Sequence, residues 1–128
     1  MAKLFRVTVP AGDIERARAF YAHVLNVTGE QVSPNRYYFD CGGVILAILD
    51  PTQGGLTPTP APKSLYFAVN DLDAVHARAR ELGALAPYKV HGQPAAEPLQ
   101  RPWGERSFYV VDPWGNDLCF VAEGTLYT

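Results

Sequence analysis

The sequence predicts an α+β fold: two βαβββ modules whose strands form a curved mixed sheet around a trough, with the helices outside. Three observations carry this expectation. A strand-then-helix pattern occurs twice at a constant offset. Each copy is followed by two strands joined through a turn, and a stretch rich in proline and glycine separates the copies. The expected layout is one domain over 1–128, with module one at 1–50, a linker at 51–62 and module two at 63–128.

In the first copy, Leu4 to Val9 alternates and is rich in β-branched residues, a strand signal. Pro10, Ala11 and Gly12 end it. Asp13 suits a helix N-cap, because its carboxylate accepts the free N–H groups of the first turn. Ile14, Ala17, Tyr21 and Val24 then fall at steps of three, four and three, one face of a helix. In the second copy, Ser64 to Val69 is strand-like, Asn70 or Asp71 is the cap, and Leu72, Val75, Ala79 and Leu82 repeat the same steps. Gly83 stands where a helix C-terminal glycine belongs, since the left-handed conformation is cheap only for glycine. Asp13 matches Asp71, Ile14 matches Leu72 and Val24 matches Leu82, each 58 residues apart.

Two further strands follow each helix: NRYYFDCGGVILAIL in the first copy, turning at Cys41-Gly42-Gly43, and ERSFYVVDPWGNDLCFV in the second, turning at Asp112 to Asn116. The second copy also carries an extra loop, HGQPAAEPLQRPWG, whose prolines confine any strand there to an edge. Modules of this size bury little core alone, which favours packing them together. The trough so formed is the natural ligand site.

Composition narrows the function. Of 128 residues, 48% are hydrophobic and 19% charged, an ordinary globular balance. A net charge of -2 without a basic stripe argues against nucleic-acid binding. No apolar run approaches the roughly 20 residues that span a bilayer. The N-terminal residues do not read as a secretory signal, so a cytoplasmic location is expected. Two cysteines, Cys41 and Cys119, are too few for a disulfide framework, and both are expected to stay reduced.

The strand–PAGD–helix start, the second start at Asn70-Asp71-Leu72-Asp73 and the DPWGN hairpin together resemble the vicinal oxygen chelate superfamily. That group holds glyoxalase I, bleomycin-resistance proteins and extradiol dioxygenases, and the resemblance covers almost the whole chain. It implies where a metal would sit. Metal-using members place histidine or glutamine midway along the first strand of each module and glutamate or a similar ligand on the last. Carried over, the first-strand positions fall on Arg6 and Ser64 and the last-strand positions on Leu46 and Cys119. Which of Leu46 and Ala47 faces the trough stays open.

These residues are poor metal ligands. A divalent cation needs imidazole, carboxylate or thiolate lone pairs. Arg6 is all donor and stays charged, Leu46 offers nothing, Ser64 is weak, and Cys119 stands alone. His23 and His76 fall on the helices, and His91 on a loop lacks partners. No metal and no other cofactor is expected. Without a metal, the isomerase and dioxygenase chemistries lose their electrophile. The resemblance then points to the bleomycin-resistance-like branch: a homodimer binding or sequestering a small planar, anionic molecule. The alternative is a glyoxalase-like lyase or isomerase, metal-dependent under a shifted alignment or thiol-based through Cys119. A one-residue strand shift would flip every side chain.

The expected ligand-binding residues are Arg6, Thr8, Tyr38, Leu46, Ser64, Tyr66, Trp103 and Cys119. Arg6 reads either as a fork for an anion or as a structural arginine paired with a carboxylate such as Asp117. Cys119 reads as a small buried hydrophobe or, with a cation nearby, as a nucleophile. Trp103 sits between Pro102 and Gly104, at a bend where an exposed ring would stack on a planar ligand. Arg101 and Glu105 read as solvated rim charges, Tyr109 as core, and Trp114 as part of a turn explained by Asp112, Gly115 and Asn116. Asp13 and Asp71 read as caps of two helices rather than as a catalytic pair.

Overall fold

The computed structural model describes residues 2–61 and 64–126. The expected linker end at Pro62 and module start at Lys63 lie outside the described residues. The chain divides into two compact units, Met1–Ala61 and Pro62–Thr128.

The first unit runs β1 (Arg6–Pro10), α1 (Ile14–Leu25), β2 (Glu30–Ser33), β3 (Arg36–Cys41) and β4 (Val44–Leu49). Its mixed sheet has the order β1-β4-β3-β2, with β1 parallel to β4 and the other pairs antiparallel. Asp13 caps α1, its carboxylate accepting the Arg16 N–H at 3.0 Å. Asn26 ends the helix in the left-handed region at φ 55. Phe20, Tyr21, Val24 and Ala17 are buried on the helix, and Val9, Tyr37, Phe39, Leu46 and Ile48 are buried on the strands. Tyr21 and Phe39 meet at 6.2 Å between ring centroids, joining helix to sheet. Gly29 is needed for close approach: a methyl group there would stand 2.6 Å from the Tyr38 carbonyl oxygen. The expected linker begins with a 3-10 turn, Pro51–Gly54, capped by Asp50.

The second unit runs β5 (Leu65–Val69), α2 (Leu72–Glu81), β6 (Lys89–Val90), β7 (Gln93–Pro94), β8 (Leu99–Gln100), β9 (Arg106–Val111) and β10 (Asp117–Ala122). Its sheet order, β5-β10-β9-β8, repeats that of the first, and β6 and β7 form a separate hairpin. Of the two cap candidates, Asp71 is the cap, accepting the Ala74 N–H at 3.1 Å. The helix ends at Glu81, so Leu82 leaves the apolar face and is 44% exposed. Gly83 takes φ 64, as its position requires. The core on the helix side holds Leu72, Val75 and Ala79 against Phe108, Val110, Leu118 and Phe120. Phe120 stacks between Phe67 and Phe108, at 5.2 and 5.6 Å.

The Asp112 turn locks β9 to β10. One Asp112 carboxylate oxygen accepts the Trp114 and Asn116 N–H groups, each at 2.9 Å, and the other accepts the Asn116 side-chain amide at 2.8 Å. Gly115 takes φ 86 within it. The long loop does not project. It runs along the β9 edge, where Tyr109 N–H donates to Ala95 O at 2.8 Å, beside the segment after α2, whose Ala86 N–H donates to Tyr109 O at 3.0 Å. Strand β8, short and flanked by Pro98 and Pro102, is the edge strand of its sheet. Among the described residues, no helix is long and apolar enough to cross a membrane.

Candidate functional site

Cross-strand partners project to the same side of a sheet, so register tells which side chains share the face away from the helix. In the first unit, Arg6 pairs with Ile45 and Thr8 with Ala47, while Tyr38 also pairs with Ala47. Arg6, Thr8, Tyr38 and Ala47 therefore share one face. Leu46 pairs with Val7 and Phe39 and is 3% exposed on the helix side. The choice left open between Leu46 and Ala47 falls to Ala47, and Leu46 is not a wall residue of this face. Register also corrects the equivalence between units. Thr8 lies beside Ala47 as Tyr66 lies beside Cys119, so Ala47, not Leu46, is the counterpart of Cys119. Alternation alone cannot detect this slip, because both residues of VILAIL are apolar.

Arg6 is exposed, and its Nη1 donates to the Tyr38 hydroxyl at 2.7 Å. Its guanidinium also lies over the Phe5 ring at 5.1 Å and the Tyr38 ring at 5.5 Å. Arg36, two residues before Tyr38 on the same strand face, donates to the same hydroxyl at 3.4 Å. Sequence reasoning missed Arg36, although the spacing Arg36-Tyr37-Tyr38 carried the signal. The hydrogen bond from Arg36 lowers the Tyr38 phenol most; desolvation opposes it, and the bond from Arg6 and the charges of both arginines bring the phenol below its ordinary pKa. Among the described residues neither arginine has a carboxylate partner. Asp117, the partner considered for Arg6, accepts the Tyr88 hydroxyl at 2.8 Å within the second unit.

In the second unit, Tyr66, Cys119, Tyr109, Val121 and Ser107 share the face away from α2. Ser64 lies two residues before Tyr66 and is half-buried, while Tyr66 is 61% exposed. Cys119 has no exposure. It belongs to a buried cluster with Ala86, Ala95, Tyr109 and Val121. Ala95 comes from the long loop and Ala86 from the segment after α2, and together they fill this part of the face. Burial pushes the Cys119 thiol up to about 11, hydrogen bonds with Tyr109 and Ser107 offsetting only part of that. A thiol so placed is protonated at neutral pH and makes a poor nucleophile. Burial likewise raises the Tyr109 phenol, and the Tyr66 hydrogen bond adds to it. Tyr88 is raised by burial and then by its bond to Asp117.

Arg101 overturns its expected place as a solvated rim charge. It is 2% exposed. Its guanidinium donates to Ser107 O at 2.8 Å, Glu97 O at 3.0 Å, Ser107 Oγ at 3.2 Å and Pro94 O at 3.3 Å, with longer contacts to Gln93 Oε1 and Ala95 O. It also covers the Tyr109 ring at 5.6 Å. The long arginine stem and five donors let one side chain collect the carbonyls that a compact loop turns inward. Trp103 is exposed, as expected for a stacking surface, with its indole N–H donating to Glu105 at 2.8 Å and its ring meeting His91 at 5.1 Å. His76 lies between α2 and the loop, its Nε2 2.9 Å from Ala96 O.

The residues at the metal positions do not fit a metal. Arg6 presents only donors, Ala47 no lone pair, Ser64 a neutral hydroxyl, and Cys119 a protonated buried thiol. Among the described residues, no three His, Cys, Asp or Glu side chains group to hold an ion.

A strand-flanked helix repeated in two units, each with a four-stranded mixed sheet, defines the class. The profile of the Glyoxalase/Bleomycin resistance protein/Dioxygenase superfamily matches residues 3–120, and the chain belongs to that superfamily. A solved glyoxalase/bleomycin resistance protein from Albidiferax ferrireducens is 24% identical, with TM-score 0.75, covering 92% of this chain and 96% of that one. A superfamily member from Sphaerobacter thermophilus is 24% identical, with TM-score 0.69, over 96% and 98%. A lactoylglutathione lyase from Agrobacterium tumefaciens is 21% identical, with TM-score 0.68, over 95% and 94%. At these identities the likeness is one of fold. No curated protein sequence matches.

Proposed function

We propose that the protein binds or sequesters a small planar, anionic molecule without a metal, using the helix-distal face of its first unit and Arg6 as anchor. The observation that carries this reading is the state of Arg6: an exposed guanidinium at the first residue of β1 whose hydrogen-bond partner is a phenol. A guanidinium without a carboxylate on a shared face is a ready partner for a carboxylate, phosphate or enolate. Thr8 and the Tyr38 ring supply a hydrogen-bonding and a stacking neighbour on that face. The working form is proposed to be a cytoplasmic homodimer.

The alternative of a glyoxalase-like lyase or isomerase draws on the superfamily itself. Its metal-dependent form needs ligands that the carried-over positions do not supply, and its thiol form needs a thiolate where burial favours the thiol. Calorimetric titration with small aryl carboxylates and aryl phosphates tests the binding reading. Affinity is expected to be unchanged by a chelator and to fall at least about tenfold in Arg6→Gln, the scale of one charge-assisted fork. Stoichiometric retention of nickel, zinc, iron or manganese after desalting would overturn the metal-free reading and direct assays toward lyase chemistry.

A further inference from the structure

We propose that Arg36 and Arg6 form a two-guanidinium clamp for one anionic group of the ligand, and that the Tyr38 hydroxyl holds its place until the ligand's oxyanion displaces it. This deepens the reading above and rests on it. Arg6 stands on β1 and Arg36 on β3, separated in the sheet by β4. Their Nη1 atoms nevertheless converge on one oxygen, at 2.7 and 3.4 Å. Two cations brought to one point repel each other. Proteins ordinarily relieve such a pair with a carboxylate, yet among the described residues neither guanidinium has one. A neutral hydroxyl satisfies the geometry and leaves the charge uncompensated. An anionic oxygen in the same position would satisfy both.

The neighbouring acids do not supply that anion. Glu30 lies opposite Tyr38 in register on β2, the outer strand, and is exposed. Asp40, two residues along β3, is committed to the Gly43 N–H at 2.9 Å. Above the clamp the surface is the Tyr38 ring and Thr8, with Ala47 buried beneath them, which suits a flat ring carrying the anion. The shared ligand chemistry is an oxyanion on a planar group, from a carboxylate or a phosphate. A depressed Tyr38 phenol accompanies the same convergence of charge. The phenolate would then compete with the ligand for the clamp at alkaline pH.

The test uses the full chain with benzoate, phenyl phosphate and uncharged benzamide, followed by calorimetry and by ultraviolet titration of tyrosinate. At least one anion is expected to bind and benzamide not to, with the better anion naming the carboxylate or the phosphate as the source. Arg36→Gln should weaken binding about tenfold, and Arg36→Lys, which keeps the charge but loses the fork, should weaken it less. Tyr38→Phe should bind as well as the parent or better. Saturating anion should raise the pH of the tyrosinate step that is missing in Tyr38→Phe. Binding that needs Arg6 but is unchanged in both Arg36 variants would overturn the clamp and leave the Arg6 reading standing. Loss of binding in folded Tyr38→Phe would overturn the placeholder role. Binding of neither anion would overturn the clamp and the binding reading together.

Discussion

A guanidinium has five donors and no acceptor, so one phenol leaves most of the capacity of Arg6 unused. That residue was legible from the sequence, because strand parity and its charge mark it as odd wherever the face points. Cys119 was legible only as a choice between two roles, and its burial favours the packing role. The consequence is measurable. The folded thiol sits near 11 and the ordinary one at 9.0, so folding favours the protonated form. Its contribution is complete below about pH 9 and is lost as pH rises toward 11, by at most about 2–3 kcal/mol. Denaturant melts at pH 8 and pH 11 should show a steeper loss in the parent than in Cys119→Ala. Some loss remains in the variant, since Tyr88 and Tyr109 are raised in the same direction. A disulfide-exchange reagent at neutral pH should modify no more fast thiols in the parent than in that variant.

At the scale of elements, local chemistry and long-range packing separate cleanly. The two helix caps and the Asp112 turn follow from short-range rules, and the structure forms them with the residues those rules select. The long loop does not follow from such rules. Its polar and proline-rich sequence reads as exposed, yet Arg101 gathers the carbonyls of Pro94, Ala95 and Glu97 and holds Ala95 against Cys119 and Tyr109. Charge predicts solvent, and only the assembled ring of acceptors makes burial affordable. Arg101→Ala should therefore cost about 2–4 kcal/mol, because several inward carbonyls lose their donor at once. Urea unfolding measures this, and Glu97→Ala, which keeps its carbonyl, should be nearly silent. Gly29→Ala probes the first unit. A methyl group 2.6 Å from a backbone oxygen cannot be relieved by rotating a side chain, so a loss of about 1–3 kcal/mol is expected.

For the molecule as a whole, the sequence by itself determined the repeat, the α+β class, both helix starts and the superfamily to which the chain belongs. Those features rest on periodicity, caps and turns, which depend on neighbours a few residues away. The tertiary structure decided which apolar residue of β4 shares the face of Arg6 and Tyr38: register places Ala47 there, beside Thr8, and Leu46 on the helix side, though both are buried. It also distinguished two units that the repeat makes look alike. The first leaves Arg6 exposed on its helix-distal face, while the second packs Ala95 of its own loop against Cys119 and Tyr109. Nor could sequence distance show that Arg6 and Arg36 reach one oxygen, because 30 residues and an intervening strand separate them. Register, loop closure and the meeting of like charges are properties of pairs far apart in the chain, and they exist only once the sheet has formed.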